Sequence, residues 1–223
     1  MLKRSFDFML SLTGLIISSP LWILISLAIF LKDGFPIFYL QERIGKNGKI
    51  FRAVKFRSMI KDAEKKTGPI QAKENDSRVT QMGILLRHTA MDELPQLINI
   101  LKGEMSFVGP RALRPQEREI QGESVKSIFD YPDFKERSKV RPGLTGIAQV
   151  FAPRNIDREH KFKYDLWYIR NQSFLLDIYI IILSFLITFE GKWEIGMDKF
   201  KFLAKGIRQR LDEYLANSEA LKQ

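Results

Sequence analysis

Residues 8–31 read FMLSLTGLIISSPLWILISLAIFL and contain no charged side chain. As a straight helix this segment would be about 36 Å long, enough to cross a bilayer core of about 30 Å. It is too long for the apolar part of a signal peptide, and no small-residue cleavage site follows it. We therefore predict a helix at the N-terminus that is embedded in a membrane and is not cleaved off.

Two features argue against a simple membrane span. Ser19 and Pro20 lie near the middle, where proline removes a backbone hydrogen bond, although membrane helices tolerate such breaks. Lys3 and Arg4 precede the segment and a basic chain follows it, so a spanning helix would place one basic flank outside, against the positive-inside tendency. A helix that bends at Ser19-Pro20 and returns to the same side satisfies both flanks. The residues alone leave the re-entrant and the spanning helix as alternatives.

Composition limits the classes of partner. The chain has 223 residues, 36 Lys+Arg against 26 Asp+Glu, a formal net charge of +10, two histidines and no cysteine. Disulfides and thiolate metal sites are excluded, and two histidines argue against a zinc site. The basic surplus predicts an anionic partner, which could be a nucleic acid, a phosphorylated small molecule or an anionic membrane. The length is typical of one domain, with room for appendages.

The pattern after residue 34 predicts a mixture of strands and helices. Residues 35–57 contain Asn47-Gly48, a tight-turn signal, between two strand-like segments, and they therefore predict a β-hairpin. In its second strand Ile50, Val54 and Phe56 share one face, and Lys55 lies on the other, exposed face. Residues 92–102 carry apolar side chains at helical spacing, and Gly103 is placed to end that helix.

Two further apolar segments lie toward the C-terminus. Residues 174–189 are too short for a span and include Asp177, so we predict a helix that is buried or lies at a membrane interface. The basic tail from residue 197 has apolar residues at helical spacing, so it could dock on the core or lie on a membrane.

The stretch HTAMDELPQL, residues 88–97, places two acids before the apolar repeat. A structural interpretation is that Asp92 caps a helix, Glu93 favours its dipole, and Pro95 is tolerated in the first turn. A chemical interpretation is that a carboxylate attacks phosphorus, which requires Mg²⁺ and basic side chains to offset charge. Lys55, Arg87 and Arg111 are candidates for those basic side chains. The two interpretations are compatible, because exposed amides at a helix start also favour an anionic phosphate.

Four blocks occur in order after the apolar N-terminus: KFRSM (55–59), LRHTAMDELPQLINILKGEMSFVGPR (86–111), VRPGLTGIAQV (140–150) and YDLWYIRNQSFLLD (164–177). The set resembles the bacterial sugar transferases known as monotopic phosphoglycosyl transferases. The resemblance runs from Lys3 to about Leu183. It implies an α+β fold with a helix-rich single catalytic domain, a small β-hairpin, an N-terminal re-entrant membrane helix and interfacial amphipathic helices.

We accordingly expect three segments: a re-entrant helix over 1–34 that is broken at Ser19-Pro20, a transferase domain over 35–195 that includes the interfacial helix 174–189, and a basic amphipathic tail over 196–223. Family members transfer a phospho-sugar from a UDP-sugar to a polyprenol phosphate and release UMP, as the first membrane step of bacterial glycoconjugate assembly. By resemblance Asp92 attacks the phosphate that bears the sugar.

The resemblance also implies roles for the other matched residues. Glu93 assists, and Asp92 and Glu93 hold Mg²⁺. The residues that would bind the substrate phosphates or lie near them are Lys55, Arg87, Arg111, Arg141, Arg154 and Asp165. Arg154 is a substitute for the arginine of a short Gly-Arg element that the family often shows, because this chain reads FAPRN at 151–155. Ala112 stands where the family commonly has proline.

The implied partners are a UDP-sugar, a polyprenol phosphate such as undecaprenyl phosphate, and one leaflet of the bacterial inner membrane, with the protein monotopic and facing the cytoplasm. No nucleic acid is expected, and a homodimer is an open alternative. The sugar is not determined, although small family members often use N-acetylated or amino sugars. Two rival functions are a glycosyltransferase that releases UDP and a non-enzymatic basic module anchored to a membrane.

Overall fold

The structure is a computed structural model that describes residues 2–65, 76–116, 118–121, 124–153, 156–189 and 201–220. It is helix-rich with small sheets, as the predicted α+β class requires. The chain divides into two compact units, and the predicted segments 1–34, 35–195 and 196–223 stay a prediction. The first unit comprises Met1–Ile44, Ile50–Met105 and Leu113–Ile128, and the second comprises Gly45–Lys49, Ser106–Ala112 and Phe129–Gln223.

The N-terminal helix α1 (Leu2–Asp33) continues through Pro20. It is long and apolar enough to cross a membrane by length and composition. Proline has no N–H to donate to the carbonyl four residues earlier, which is that of Ile16. The Ser19 hydroxyl donates to this carbonyl oxygen instead, at 2.8 Å. The serine therefore supplies the hydrogen bond that the proline removes, and the predicted re-entrant bend stays a prediction.

Arginines fix both ends of α1 within the first unit. Arg4, in its first turn, donates through Nη1 and Nη2 to the carbonyl oxygens of Ile100 and Leu101 at 2.6 and 2.7 Å. Arg57 donates through Nη2 to the carbonyl oxygens of Asp33 and Gly34 at 2.5 and 2.8 Å, at the C-terminal end of α1. Cations are favourable at helix C-termini because the last carbonyls have no partner within the helix.

The predicted hairpin is confirmed. Strands β1 (Phe38–Ile44) and β2 (Ile50–Phe56) pair antiparallel, from Phe38 opposite Phe56 to Ile44 opposite Ile50. The turn residues Asn47 and Gly48 have φ angles of 57° and 77°, the left-handed conformation that favours this pair. Only part of the predicted inward face is buried, since Phe56 is buried whereas Ile50 is 49% exposed.

Two short helices of the first unit lie on either side of the turn that contains Asp92 and Glu93. Helix α2 (Gln81–His88) starts at Thr80, whose hydroxyl accepts from the amide of Gly83. Helix α3 (Gln96–Lys102) ends, as predicted, at Gly103, whose φ is 83°. A small antiparallel pair, β4 (Arg118–Gln121) and β5 (Ser124–Ser127), belongs to the same unit.

The second unit is built on a short parallel pair with helices around it. Strand β3 (Ser106–Val108) pairs with β6 (Gly143–Thr145), with Ser106 opposite Gly143 and Val108 opposite Thr145. Its helices are α4 (Phe134–Arg137), α5 (Ile147–Phe151), α6 (Arg158–Arg170), α7 (Phe174–Phe189) and α8 (Lys201–Ala220).

The basic tail docks on the core of the second unit, one of its two predicted positions. Ala204, Ile207 and Leu211 of α8 are buried in one cluster with Trp167 of α6 and Ile180 of α7. The hydrophobic effect explains this position, because the apolar stripe of α8 covers side chains that would otherwise face water. The opposite face is exposed, including Phe202 at 87%.

Candidate active site

The two acids lie in a short 3₁₀ turn, Met91–Glu93, between α2 and α3. The expectation that Asp92 caps a helix over 92–102 was wrong. Helix α3 begins at Gln96, Pro95 occupies the position before it, and no side chain caps that end. Ala90, at a φ of 54°, ends the preceding turn in a left-handed conformation, and Pro95 suits a helix start because it lacks an N–H. The acids are therefore displayed on a tight turn before the helix.

Asp92 is buried, with 9% of its surface exposed, and its surroundings change its acidity. Burial raises the pKa of Asp92 to about 6, Lys55 opposes the rise, Glu93 adds to it, and Arg87 opposes it. Burial dominates because an ion loses favourable hydration when it leaves water. The carboxylate thus lies in a low-dielectric place between two basic neighbours and one acid.

Lys55 and Arg87 approach the acids from two different elements of the first unit. Lys55, on β2, places Nζ 2.5 Å from Oε1 of Glu93, and its side chain is only 16% exposed. The expectation that it lies on an exposed face was therefore wrong, because the turn carrying Glu93 covers it. Arg87, in the last turn of α2, donates from Nε to the hydroxyl of Ser58 at 2.9 Å. We call Lys55, Arg87, Asp92 and Glu93 the carboxylate cluster.

Asn99 is a residue of this region that the sequence analysis missed. Its side chain is 1% exposed and connects α3 to β2. Its Oδ1 accepts from the amide of Val54 at 2.9 Å, and its Nδ2 donates to the carbonyl of Arg52 at 2.8 Å and to Oε2 of Glu104 at 2.7 Å. Asn99 thereby fixes the strand that carries Lys55 against the helix that follows Glu93. A polar residue inside an apolar helical repeat was the available signal.

In the second unit, Asp165 reaches Arg111 through a residue that was also missed. Asp165 is 3% exposed, and its Oδ2 accepts from Nε of Arg137 at 2.7 Å. Arg137 also donates from Nη2 to the carbonyl oxygen of Arg111 at 2.5 Å and lies over the ring of Phe162 at 4.7 Å. Burial raises the pKa of Asp165, and Arg137 opposes the rise. Nothing in the local sequence around Arg137 indicates this pairing.

The segments carrying Arg111 and Arg141 pack against each other through glycine. A Cβ atom on Gly143 would lie 2.1 Å from the amide nitrogen of Gly109, and one on Gly146 would lie 2.1 Å from the carbonyl oxygen of Gly109. Any side chain there would collide with backbone, so these contacts require glycine. Arg111 itself is exposed, and Arg141 is half-buried. The structure thus gives two basic side chains a rigid common base.

The structure groups the predicted residues within each unit. Lys55, Arg87, Asp92 and Glu93 meet in the first unit, and Arg111, Arg141 and Asp165 belong to the second. Arg154 lies outside the described residues.

Among the described residues there is no group of three or more His, Asp or Glu side chains placed to hold a metal ion. Two adjacent carboxylates nevertheless suit Mg²⁺, which commonly binds one or two carboxylates and completes its shell with water and substrate phosphates. Asp92 and Glu93 offer carboxylates of that kind because they lie on one turn, with Oε1 of Glu93 already in contact with Nζ of Lys55.

Comparison with known proteins agrees with the motifs. The family model described as bacterial sugar transferase matches residues 1–191. The exopolysaccharide production protein PSS of Rhizobium leguminosarum bv. phaseoli is 40% identical over 81% of this chain and 91% of its own. The exopolysaccharide production protein ExoY of Sinorhizobium fredii is 37% identical over 80% and 81%. The undecaprenyl-phosphate galactose phosphotransferase of Salmonella typhimurium is 37% identical over 81% of this chain but 39% of its own. The chain belongs to the bacterial sugar transferase family.

Proposed function

We propose that this protein transfers a sugar-1-phosphate from a UDP-sugar to undecaprenyl phosphate in polysaccharide synthesis and releases UMP. The carrying observation is the buried Asp92 carboxylate beside Lys55 and Arg87. Relatives named as undecaprenyl-phosphate galactose, glucose and N-acetylgalactosamine phosphotransferases support the acceptor and the reaction class. Because those names differ in the sugar, they favour no single donor, and the lean toward amino sugars stays a prediction.

The proposed reaction has two displacements at one phosphorus atom. A carboxylate oxygen of Asp92 attacks the phosphorus that bears the sugar, and the bond from that phosphorus to the bridging oxygen breaks, so UMP leaves with the electron pair. A phosphate oxygen of undecaprenyl phosphate then attacks the same phosphorus and releases the Asp92 carboxylate. Covalent catalysis of this kind splits one transfer between two large substrates into two simpler steps.

The other members of the carboxylate cluster have supporting roles in this proposal. Lys55 and Arg87 offset negative charge on the donor phosphates, as cations do in phosphoryl transfer. Glu93 orients Lys55 through their ion pair at 2.5 Å. Asp92 and Glu93 would hold Mg²⁺, which when bound supplies charge neutralisation to the pyrophosphate.

In the second unit Arg111 and Arg141 are proposed to bind phosphate, and Arg154 keeps the same predicted role. For Asp165 the geometry supports an indirect contribution to phosphate binding. Its carboxylate accepts a hydrogen bond from Arg137, and Arg137 donates to the carbonyl oxygen of Arg111. Asp165 would then orient a phosphate-binding segment rather than touch substrate.

The membrane part of the proposal rests on two apolar surfaces. On α1, Ile16, Ile17 and Ile23 are each at least 65% exposed, as suits a helix in lipid. On α7, Leu175, Ile182 and Phe185 share one exposed face. We propose that α1 is re-entrant and that α7 lies at the interface, which makes the protein monotopic on the cytoplasmic face of the bacterial inner membrane. A site near the headgroups suits one soluble and one lipid-anchored substrate.

The test is product analysis in detergent or nanodiscs with Mg²⁺, undecaprenyl phosphate and a panel of UDP-sugars. Wild type and Asp92→Asn are compared. The proposal expects UMP and a lipid-linked phospho-sugar from the wild type only, and a phospho-sugar adduct on Asp92 when the acceptor is omitted. Release of UDP would replace it with direct glycosyl transfer. Silence with every donor, together with no adduct, would favour the non-enzymatic module.

A further inference from the structure

Ser58 is a buried residue of the first unit that contacts both ends of helix α2. It follows strand β2 by two residues and is 7% exposed. Its carbonyl oxygen accepts from the amide of Thr80, the residue at which α2 starts, at 3.2 Å. Its hydroxyl oxygen accepts from Nε of Arg87, in the last turn of α2, at 2.9 Å. One serine therefore binds the start of the helix and a side chain near its end.

A glycine between these two contacts lets α2 lie directly against Ser58. A Cβ atom on Gly83 would lie 1.9 Å from the carbonyl oxygen of Ser58 and 2.9 Å from its Cα. No side chain fits in that space without moving the main chain. Leu86 of α2 is also buried in one apolar cluster with Phe56, the last residue of β2. Packing therefore fixes the distance between Ser58 and the helix that carries Arg87.

The contact with Ser58 occupies one part of the Arg87 guanidinium and leaves another part available. In the described ranges the Ser58 hydroxyl is the one hydrogen-bond partner of the Arg87 side chain. A guanidinium group is planar and rigid, so a hydrogen bond at Nε restricts the direction of the whole group. Nη1 and Nη2 then remain as a pair of donors, and arginine binds phosphate through two such parallel N–H groups.

Without the serine hydroxyl, the Arg87 side chain would have to be ordered by the substrate. Arginine has several rotatable bonds, and ordering them on binding costs conformational entropy. The position of the guanidinium also matters to Asp92, because the charge of Arg87 opposes the rise that burial causes in the pKa of Asp92. The contact with Ser58 orders the guanidinium before a substrate arrives, and it keeps the positive charge near the carboxylate.

We propose that Ser58 is a positioning residue for Arg87: its hydroxyl fixes Nε, so that Nη1 and Nη2 are presented as a pair to the donor phosphate that Asp92 attacks. This inference rests on the proposed function, in which Arg87 offsets negative charge on the donor phosphates. Ser58 acts through Arg87 and does not touch the substrate. A small displacement of a positioned group can cost roughly 100-fold in rate, so the effect is measurable.

The primary test uses Ser58→Ala, which removes one oxygen atom from a buried position. The control is Ser11→Ala, the same substitution at a serine of α1 that is 0% exposed and whose hydroxyl donates to the carbonyl of Phe8 in its own helix at 3.0 Å. Ser58→Ala should lower kcat/KM for the UDP-sugar by roughly 10- to 100-fold, and Ser11→Ala should change it less than about twofold. Wild-type kcat/KM in Ser58→Ala would overturn the inference.

A double variant separates positioning of Arg87 from a general loosening of the first unit. Arg87→Lys keeps the positive charge but has a methylene group in place of Nε, so it cannot donate to Ser58 from that position. If Ser58 acts through Arg87, then Ser58→Ala lowers kcat/KM no further in the Arg87→Lys background. Equal losses in both backgrounds would overturn the inference, because the hydroxyl would then act independently of Arg87.

Nuclear magnetic resonance of the arginine Nε–H groups tests the inference without any turnover. The signal that disappears in Arg87→Lys is assigned to Arg87. In nanodiscs its Nε proton should exchange slowly with water in wild type and in Ser11→Ala, and Ser58→Ala should abolish this protection because the acceptor is gone. Unchanged protection in Ser58→Ala would overturn the inference even if activity falls. An inactive wild type would instead overturn the proposed function, and the loss of protection would still support the ordering of Arg87 by Ser58.

Discussion

Two buried aspartates, Asp92 in the first unit and Asp165 in the second, have opposite surroundings. Asp165 has a guanidinium in direct contact at 2.7 Å, and that guanidinium also reaches a main-chain carbonyl. Asp92 has cations nearby, but no side chain in the described ranges donates a hydrogen bond to its carboxylate. A carboxylate that is paired with a guanidinium stabilises the fold, whereas one that lies among charges and receives only a backbone hydrogen bond keeps oxygen lone pairs available to another molecule.

The largest expected effect follows from Asp92→Asn. Transfer should fall by roughly 1,000-fold or more, because an amide cannot form the acyl phosphate. The free energy of unfolding should rise by about 1 to 3 kcal/mol at pH 8, since the ordinary pKa of 3.8 is raised to about 6. Ionisation of Asp92 therefore opposes folding above pH 6. UMP release and chemical denaturation in detergent measure the two effects.

The difference in unfolding free energy between Asp92→Asn and wild type should depend on pH. A raised folded-state pKa means that the penalty is present above about 6 and disappears as the pH falls toward 3.8. The stability gain of Asp92→Asn should therefore shrink as the pH falls from 6 toward 3.8. Wild-type activity should fall below pH 6, because the proposed nucleophile Asp92 is then protonated. The matched control is Asp62→Asn, whose carboxylate is 60% exposed. A gain that is constant from pH 8 to 4 would contradict the assignment.

The opposite sign is expected when the second aspartate loses its partner. Arg137→Met should lower the free energy of unfolding by about 3 to 5 kcal/mol at neutral pH, because it leaves the Asp165 carboxylate buried without a cation. The loss should diminish at lower pH as Asp165 takes up a proton, since burial already raises its pKa. Arg170→Met is the matched control, because the Arg170 ion pair with Glu136 is half-exposed at 3.5 Å. If Arg137→Met loses no more unfolding free energy than Arg170→Met, the buried Arg137–Asp165 pair contributes no more to the fold than the half-exposed pair.

A smaller effect should come from the residue that joins β2 to α3. Asn99→Ala removes three hydrogen bonds and leaves the Val54 amide without its acceptor, so we expect a loss of about 2 kcal/mol. Activity should also fall, because β2 carries Lys55 toward Glu93. Asn99→Asp, which keeps the acceptor for Val54 but brings a second carboxylate near Glu104, should not restore stability. Wild-type kinetics in Asn99→Ala would mean that Lys55 is placed without Asn99.

Sequence reasoning succeeded where the determining interactions are local. Asn47-Gly48 predicts its hairpin because the turn conformation depends on those two residues, and Gly103 ends α3 for the same reason. The blocks around Lys55, Arg87 and Asp92 located the carboxylate cluster through a family resemblance. Partners far apart in the chain were not predictable: Arg137 lies 28 residues from Asp165, and Asn99 lies 45 residues from Val54. The predicted start of α3 was wrong because Asp92 and Glu93 belong to a separate 3₁₀ turn, Met91–Glu93, that precedes Pro95 and the helix.

The smallest effect is expected in α1, where the Ile16 carbonyl is hydrogen-bonded by the Ser19 side chain. As with the two aspartates, the question is what a polar group gains from its partner. Ser19→Ala removes the donor to the Ile16 carbonyl, which Pro20 already deprives of an amide, so it should cost about 1 kcal/mol of helix stability. In a Pro20→Ala background the amide of residue 20 is available for that carbonyl, and Ser19→Ala should then cost almost nothing. Thermal unfolding of the four variants in lipid nanodiscs measures this coupling. Additive effects would show that the Ser19 hydroxyl does not replace the missing bond, and the Ser-Pro pair would then need another explanation.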